Sequence, residues 1–185
     1  PSLVTIGENC YFNKGFTLLT HDWVTRVFIY SGRDFLPSSG CVTIGNNVNT
    51  AYNVTILKGV TIGDNVFIGA NSVVTKDIPS NSIAVGAPCR VIMSIDEFHA
   101  KREIQCVKDA LDYALSIQKR FKRRPRITDF CEEFVLFVDG DKINQYPEIE
   151  RLIRSQLGPS YDDYVREHKA VFSGFDDFLA AAGIR

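Results

Sequence analysis

The stretch VTIGNNVNTAYNVTILKGVTIGDNVFIGANSVVTKDIP, residues 42–79, repeats with a period of six. Aliphatic or small residues occupy one series of positions: Ile44, Thr50, Ile56, Ile62, Ile68 and Val74. A second series with the same period comprises Val48, Val54, Val60, Val66, Ser72 and Ile78. Neither a helical period of ~3.6 residues nor the alternation of an ordinary strand explains this spacing. Two inward series with one period therefore predict a stacked coil.

Gly, Asn and Asp recur at fixed offsets between the apolar positions, as in Gly45-Asn46-Asn47, Gly63-Asp64-Asn65 and Gly69-Ala70-Asn71. These residue types enter left-handed backbone conformations most easily, so a sharp corner is expected in every repeat. Three repeats, about 18 residues, would complete one turn, with parallel β-ladders from coil to coil.

The repeat changes phase before this stretch. The same pattern occurs at Ile6, Phe12 and Leu18, but Ile6 and Ile44 are not separated by a whole number of repeats. Residues 24–40 are therefore predicted to leave the stack as a loop. The repeat is already running at Val4 and the sequence does not begin with Met, which leaves open that further coils precede it.

Residues 42–79, together with the closing Val85-Gly86-Ala87-Pro88-Cys89-Arg90, resemble the hexapeptide-repeat acetyltransferases. That superfamily includes galactoside, maltose and xenobiotic acetyltransferases and polysaccharide O-acetyltransferases. The resemblance covers residues 1–92 and implies a mainly β fold, a left-handed parallel β-helix, with the loop 24–40. It also implies a homotrimer with active sites between subunits, and acetyl-CoA as co-substrate. Residues 93–185 are expected to form an α-helical C-terminal extension.

His21 is the only histidine of the repeat region, in Thr20-His21-Asp22 at the start of the loop. An imidazole can take a proton from a hydroxyl or an amine near neutral pH, although a polar corner residue is the simpler interpretation of a lone histidine. The Thr-His-Asp sequence resembles the catalytic element of the family, which favours His21 as catalytic base. Because successive side chains of extended backbone point to opposite sides, Asp34 or a backbone carbonyl is at least as good a partner for the imidazole as Asp22.

Three positions are candidates for contact with the acceptor. Asn13 and Lys14 stand where Gly-Pro is common in relatives, which makes a polar contact to substrate possible at Asn13. Trp23 can offer a flat apolar face to a sugar, or can pack within the loop. Asp34 is the third candidate on this side. A tryptophan common in relatives is missing from Asn49-Thr50-Ala51.

The repeat spacing places Tyr52 beside Ala70, and Lys58 beside Lys76, on adjacent coils, where they could line one groove.

The resemblance implies that coenzyme A contacts the backbone at Gly69 and Ala70, and that Thr75, Lys76 and Arg90 reach its nucleotide end. Cationic side chains suit phosphates, although an isolated Lys76 would be interpreted as a solvated edge lysine.

Composition excludes several functional classes. A formal net charge of -1 disfavours a nucleic-acid-binding protein. No apolar run is long enough for a transmembrane helix, and the N-terminus lacks the pattern of a signal peptide, so a cytoplasmic protein is expected. Three histidines and five cysteines show no metal-ligand spacing, so no metal is expected and a zinc enzyme on a similar β-helix is disfavoured.

The second half follows a helical pattern. Ser94-Ile95-Asp96-Glu97 has the form of a capping box and predicts a helix over 95–123. The run 134–138 is either a strand or the end of a buried helix, and three shorter helices are expected at 146–159, 161–171 and 175–183. The run Lys119–Arg126 is strongly basic, as suits a solvated helix end.

The resemblance and these patterns favour a CoA-dependent acetyltransferase that acts on a sugar hydroxyl, for example in the synthesis of a surface polysaccharide. An amino-sugar N-acetyltransferase and an inactive β-helix scaffold are the alternatives.

Overall fold

The hexad repeat winds into a three-faced β-helix in the computed structural model, which describes residues 2–185. The chain divides into two compact units, Pro1–Lys101 and Arg102–Arg185. The strands of the first unit are β1 (Val4–Ile6), β2 (Tyr11–Phe12), β3 (Thr17–Leu18), β4 (Val42–Ile44), β5 (Val48–Thr50), β6 (Thr55–Ile56), β7 (Thr61–Ile62), β8 (Val66–Ile68), β9 (Val73–Val74), β10 (Ser82–Val85) and β11 (Arg90–Ser94).

Each face of the β-helix is one sheet. The first face is β1-β4-β7, the second is β2-β5-β8-β10-β11, and the third is β3-β6-β9. All ladders between coils are parallel, and only β10 and β11 pair antiparallel. Thr43 pairs with Thr61 and Ile56 with Val74, which confirms the predicted coil length. The structure therefore confirms the parallel β-helix.

The two inward series form the core of this unit. The aliphatic side chains of both series between Ile44 and Ile78 are at most 4% exposed. Burial of one Val or Ile side chain contributes about 1.5–3 kcal/mol, so stacked aliphatic rows stabilise the coils jointly. Thr50 and Ser72 are polar exceptions. The Ser72 hydroxyl donates to the Gly69 carbonyl at 2.6 Å and accepts from the Gly86 N–H at 3.0 Å.

Asparagine makes the corners, as its left-handed propensity predicts. Six asparagines of this unit have φ between 53° and 59°: Asn9, Asn47, Asn53, Asn65, Asn71 and Asn81. Their amides also bond from coil to coil, with Asn47 Nδ2 2.9 Å from Asn65 Oδ1 and Asn65 Nδ2 3.0 Å from Asn81 Oδ1. The same side chain thus makes the turn and links it to the next coil.

The chain leaves the stack between the first and second coils, over bounds slightly earlier than the predicted 24–40. Register partners in the first two coils, such as Ile6 and Ile44, lie 38 residues apart instead of 18, because the chain departs after Thr20 and returns at Gly40. We call residues 21–39 the excursion. It contains a short helix that the sequence analysis did not predict, α1 (Thr25–Tyr30).

The C-terminal half is helical, as predicted, and helices contain more residues than the short strands of the coils. Its helices are α2 (Ile95–Phe121), α3 (Pro147–Leu157), α4 (Tyr161–Glu167) and α5 (Phe175–Ala181), with short 3-10 helices at Ile127–Asp129, Glu133–Leu136, Gly140–Gln145 and Gly158–Ser160. The Ser94–Glu97 capping box is present, with Ser94 Oγ accepting from the Glu97 N–H at 3.1 Å. Helix α2 ends two residues before the predicted position because Lys122 adopts a φ of 54°.

The strand alternative for residues 134–138 is wrong. The segment forms the 3-10 helix Glu133–Leu136 followed by a turn. Its side chains Phe134, Leu136, Phe137 and Val138 are all buried. Consecutive side chains of a strand would point to opposite faces. The core of the second unit instead centres on Phe130, whose ring lies 5.3 Å from that of Phe178. Among residues 2–185, no helix is long and apolar enough to cross a membrane.

Candidate functional site

His21 lies where the excursion leaves the coil. Its backbone forms an isolated antiparallel bridge with Ser39, and the Gly40 N–H donates to the Thr20 carbonyl at 2.9 Å. The two limbs of the excursion therefore meet in a neck, made of residues 20–22 and 38–40. His21 is exposed at this neck. A short antiparallel pair thus holds the backbone of the candidate base beside the stack.

The neck rests on the corner of the next coil. Leu19 N–H donates to the Ile56 carbonyl at 2.9 Å, and Gly40 packs against Gly59 so closely that an added Cβ would lie 3.0 Å from the Gly59 nitrogen. Close backbone approach thus favours glycine at position 40. The position of His21 follows from the packing of one coil on the next.

Asp22 does not face the imidazole. Its carboxylate accepts from Lys58 Nζ and from the Val24 N–H, the latter at 3.1 Å. The hydrogen bond from Lys58, followed by that from Val24, lowers the pKa of the Asp22 carboxyl below its ordinary value. Lys58 Nζ also contacts Ser38 Oγ on the opposite limb of the neck. Asp22 therefore pairs with Lys58 and not with His21. This agrees with the expectation that successive side chains of extended backbone point to opposite sides.

The imidazole itself has one aromatic neighbour. The rings of His21 and Trp23 lie 6.1 Å apart at an interplanar angle of 68°. Within residues 2–185 we find no hydrogen bond to the His21 ring and none to Asp34, so the structure does not join these two residues. The orientation of His21 in this chain comes from the backbone pairing of the neck.

The other acceptor candidates differ in their surroundings. Trp23 is 67% exposed, so it does not pack in a core, and its indole face is accessible beside His21. Asn13 is half-buried, and its amide donates to the Thr50 carbonyl at 2.9 Å, which ties it to the next coil. The amide nitrogen of Asn13 is used in this bond, so its amide oxygen is the atom available to an acceptor. Trp23 is thus the better placed of the two for contact with a sugar.

The candidate cofactor residues lie at two corners of the β-helix, apart from Arg90, which begins strand β11. The second corner, between the second and third faces, carries Tyr52 and Ala70, and the third corner carries Lys58 and Lys76. The ladder pairing places each pair on adjacent coils, as predicted, but the third face separates the pairs. His21 shares the third corner with the two lysines.

Exposure divides the cofactor candidates further. Tyr52, Ala70, Thr75, Lys76 and Arg90 are exposed, whereas Gly69 is buried. The Gly69 N–H donates to the Ala84 carbonyl at 2.9 Å, and its carbonyl accepts from Ser72. A Cβ at Gly69 would lie 2.7 Å from Val85 Cγ1. Gly69 therefore makes room for Val85, and its own polar groups are engaged inside the protein.

The structure adds Ser38 of the neck and Lys58 of the next coil to the residues around His21. The sequence indicates Lys58 only as a groove lysine and gives no signal for Ser38. Their proximity to Asp22 depends on the register across the excursion, which pairs Leu18 with Ile56. Once that register is known, Lys58 lies directly below the neck. No spacing signal in the sequence marks this contact because the length of the excursion is irregular.

Metal ligands are not clustered in this chain. Among the described residues, no group of three or more His, Cys, Asp or Glu side chains could hold a metal ion.

Comparison with known proteins gives a consistent picture for the repeat region. Residues 41–76 match the family model described as bacterial transferase hexapeptide (six repeats). The chain is 47% identical over 95 residues to the galactoside O-acetyltransferase of Escherichia coli (strain K12). The aligned region covers 51% of this chain and 45% of that protein. The chain spans about half the length of the curated relatives it matches.

Solved structures show the same partial likeness. A galactoside acetyltransferase in complex with coenzyme A is 45% identical, with 50% of this chain and 45% of that chain covered and a TM-score of 0.44. A maltose O-acetyltransferase from Clostridium difficile 630 is 37% identical, with 49% and 58% covered and a TM-score of 0.40.

Proposed function

We propose that this chain, whose repeat region belongs to the hexapeptide-repeat acetyltransferase superfamily, transfers an acetyl group from acetyl-CoA to a hydroxyl of a sugar. The observation that carries the proposal is the placement of His21. Its imidazole is exposed at the neck of the excursion, beside an accessible indole and on the same corner as Lys76. Side chains suited to act as a base, as a platform for a sugar and as a cation for a phosphate thus lie along one edge of the β-helix, which supports the proposal.

In the proposed reaction His21 acts as a general base. Its imidazole accepts the proton of the acceptor hydroxyl while that oxygen attacks the thioester carbonyl carbon. The protonated imidazole then returns the proton to the sulfur of the departing coenzyme A. One C–O bond forms and one C–S bond breaks, so no oxidant or further co-reactant is needed. A positioned base of this kind contributes about 100- to 10,000-fold in rate.

The exposed residues of the second and third corners fit the two ends of coenzyme A. Ala70 offers a small surface that a pantetheine chain can approach, and Lys76 and Arg90 offer cations to phosphates. We propose Tyr52, Ala70, Thr75, Lys76 and Arg90 as contacts, and we assign Gly69 an indirect role, through its packing with Val85.

Assembly into a homotrimer is part of the proposal. The excursion exposes large apolar side chains, among them Val27 at 65%, Tyr30 at 80% and Phe35 at 64%. Exposed apolar clusters of this kind are typical of association surfaces. A second and third copy would cover them and bring the two corners of neighbouring subunits together. Sedimentation of the protein at micromolar concentration as a monomer would contradict this arrangement.

The acceptor is the least specified part of the proposal. A sugar of a surface polysaccharide, acetylated in the cytoplasm where acetyl-CoA is available, fits an open corner with an exposed indole. Trp23 would supply the platform, and the amide oxygen of Asn13 and the carboxylate of Asp34 are the remaining candidates for polar contacts.

An acceptor panel tests the activity. Purified protein is incubated with acetyl-CoA and matched p-nitrophenyl glycosides that carry either hydroxyl groups only or one amino group, and thiol release is followed. Turnover on the hydroxyl-only sugars is expected. Turnover confined to amino sugars would replace O-transfer by N-transfer, and acetyl-CoA binding without turnover on any sugar would favour a scaffold.

A further inference from the structure

Lys58 makes two contacts that the proposed chemistry does not use. Its ammonium group touches Asp22 Oδ2 on the outgoing limb of the excursion and Ser38 Oγ on the returning limb. Lys58 belongs to the next coil, 36 residues from Asp22 and 20 residues from Ser38 along the chain. One side chain thus fastens both limbs of the neck to the stack.

The backbone pairing at the same point is weak on one side. Asp22 N–H lies 3.4 Å from the Ser38 carbonyl, beyond the usual range for an N–H···O bond, whereas the Gly40 N–H to Thr20 carbonyl bond is 2.9 Å. His21 lies between these two hydrogen bonds. Next to Asp22, where the short backbone ladder ends, the neck therefore depends on side-chain contacts.

The ion pair is partly shielded from water. The side chains of Lys58 and Asp22 are 28% and 37% exposed. Both oxygens of Asp22 are engaged, one by Lys58 and one by the Val24 N–H, so the carboxylate also holds the entry of the chain toward α1. Lys58 thus contacts Asp22 and Ser38, and Asp22 in turn accepts a hydrogen bond from Val24.

We infer that Lys58 is a positioning residue for His21, a clamp that closes the neck of the excursion without touching the substrate. The inference rests on the proposed role of His21 as the base. If Lys58 is lost, the two limbs can separate and the imidazole samples positions away from the acceptor. A displacement of about 1 Å at a reacting group can reduce a rate by roughly 100-fold.

The test uses the isosteric loss of charge Lys58→Met, the conservative Lys58→Arg, and the partner change Asp22→Asn in the full-length protein. Trp23 is the only tryptophan of the chain and lies in the excursion, so a change in its fluorescence anisotropy at constant assembly state reports a change in the mobility of this segment. Lys58→Met should lower the anisotropy of Trp23, Lys58→Arg should restore most of it, and Asp22→Asn should resemble Lys58→Met. Lys101→Met, which removes an exposed cation outside the neck, is the matched control and should change nothing.

Kinetics on an active p-nitrophenyl glycoside supply the second measurement. Lys58→Met should reduce kcat by roughly 10- to 100-fold, with the KM for acetyl-CoA changed less than about threefold, because Lys76 and Arg90 remain in place. The double variant Lys58→Met/Asp22→Asn should be no slower than the slower single variant, since both remove one clamp.

Two outcomes overturn the inference. One is wild-type anisotropy of Trp23 in Lys58→Met. The other is an increase in mobility with an unchanged kcat in a protein whose His21→Ala variant is inactive. If His21→Ala itself keeps full turnover, the proposed catalytic role has failed, and the anisotropy measurement still decides whether the clamp exists.

Discussion

The regular coils and the excursion are adjacent parts of one chain, yet they are held by different interactions. In the coils, strands pair in parallel with strands of neighbouring coils, as β4 does with β1 and β7, and aliphatic side chains such as Ile44, Ile62 and Ile56 are at most 1% exposed. In the excursion, residues 31–39 are all exposed, and the segment is tied to the stack mainly at its neck. Stability is therefore concentrated in one region and candidate chemistry in the other.

This difference indicates why an exposed histidine and tryptophan are tolerated here. A loop that contributes little to the core can present polar and aromatic groups to solvent, provided that a rigid scaffold holds its ends. The coils supply that scaffold, because each coil is fixed by its two neighbours. The four predictions below test the comparison, beginning with the largest expected effect.

Replacement of His21 by Ala should remove the activity and leave the fold intact. We expect the acetyl-transfer rate to fall by roughly 100- to 10,000-fold, since a positioned base is lost. Affinity for acetyl-CoA should change little, because the proposed contacts lie on the coils. Steady-state kinetics and calorimetric titration with acetyl-CoA measure the two quantities. Near-wild-type turnover of His21→Ala on the acceptor would end the assignment.

Replacement of Ile56 by Ala should lower the stability of the fold without removing a candidate catalytic group. Ile56 is fully buried in the stack, so the cavity should cost about 2 to 5 kcal/mol of stability. Val27→Ala in the excursion removes an aliphatic side chain that is 65% exposed in one subunit, and at protein concentrations low enough to dissociate the proposed trimer its effect should stay within about 0.5 kcal/mol. Urea unfolding followed by circular dichroism gives both values. Equal losses would show that the excursion is as much a part of the core as the coils.

Loss of Lys76 or Arg90 should weaken the binding of acetyl-CoA selectively. Each side chain is exposed, so the expected effect of an alanine variant is modest, roughly 3- to 10-fold in Kd, with a smaller effect on kcat at saturation. Lys101→Ala is the control for a general change of surface charge. A fall in kcat with unchanged Kd would move these residues from cofactor binding to the reaction itself.

The smallest effect should come from pH acting on Asp22. Its pKa is lowered in the folded protein, chiefly by the hydrogen bond from Lys58, so the ion pair stabilises the neck above the ordinary carboxyl pKa of ~3.9. That contribution is lost as the pH falls through the lowered value. Trp23 anisotropy should therefore stay constant between about pH 5 and 8 and decrease only in stronger acid.

The pH measurement is best made in the His21→Gln background, because a protonated imidazole beside the indole would alter its emission. Asp22→Asn in that background should show low anisotropy with no acid transition. A transition that survives in Asp22→Asn would have to come from another group.

Much of the fold could be predicted from the sequence alone. The period of six indicates which side chains face inward, because a winding with another period would expose the rows at Ile44 and Val48. Asparagines in left-handed conformation mark the corners, since this preference is local and needs no distant partner. The departure of the excursion also follows, since the phase slip before Val42 cannot be absorbed by a regular coil. The capping box at Ser94 is likewise a local signal, and it places the start of α2.

Tertiary structure alone decided how the excursion is held and what the site residues touch. Helix α1 and the contacts of Lys58 with Asp22 and Ser38 depend on a register across an irregular insertion, and no periodic signal encodes that register. The hydrogen bond from the Gly69 N–H to the Ala84 carbonyl is likewise a contact between coils. The separation of Tyr52 from Lys76 by a face of the β-helix is also a property of the assembled coils. Repeated local interactions are legible in a sequence, whereas a single long-range contact is chosen only when the chain packs, because its free energy depends on neighbours that the sequence does not place side by side.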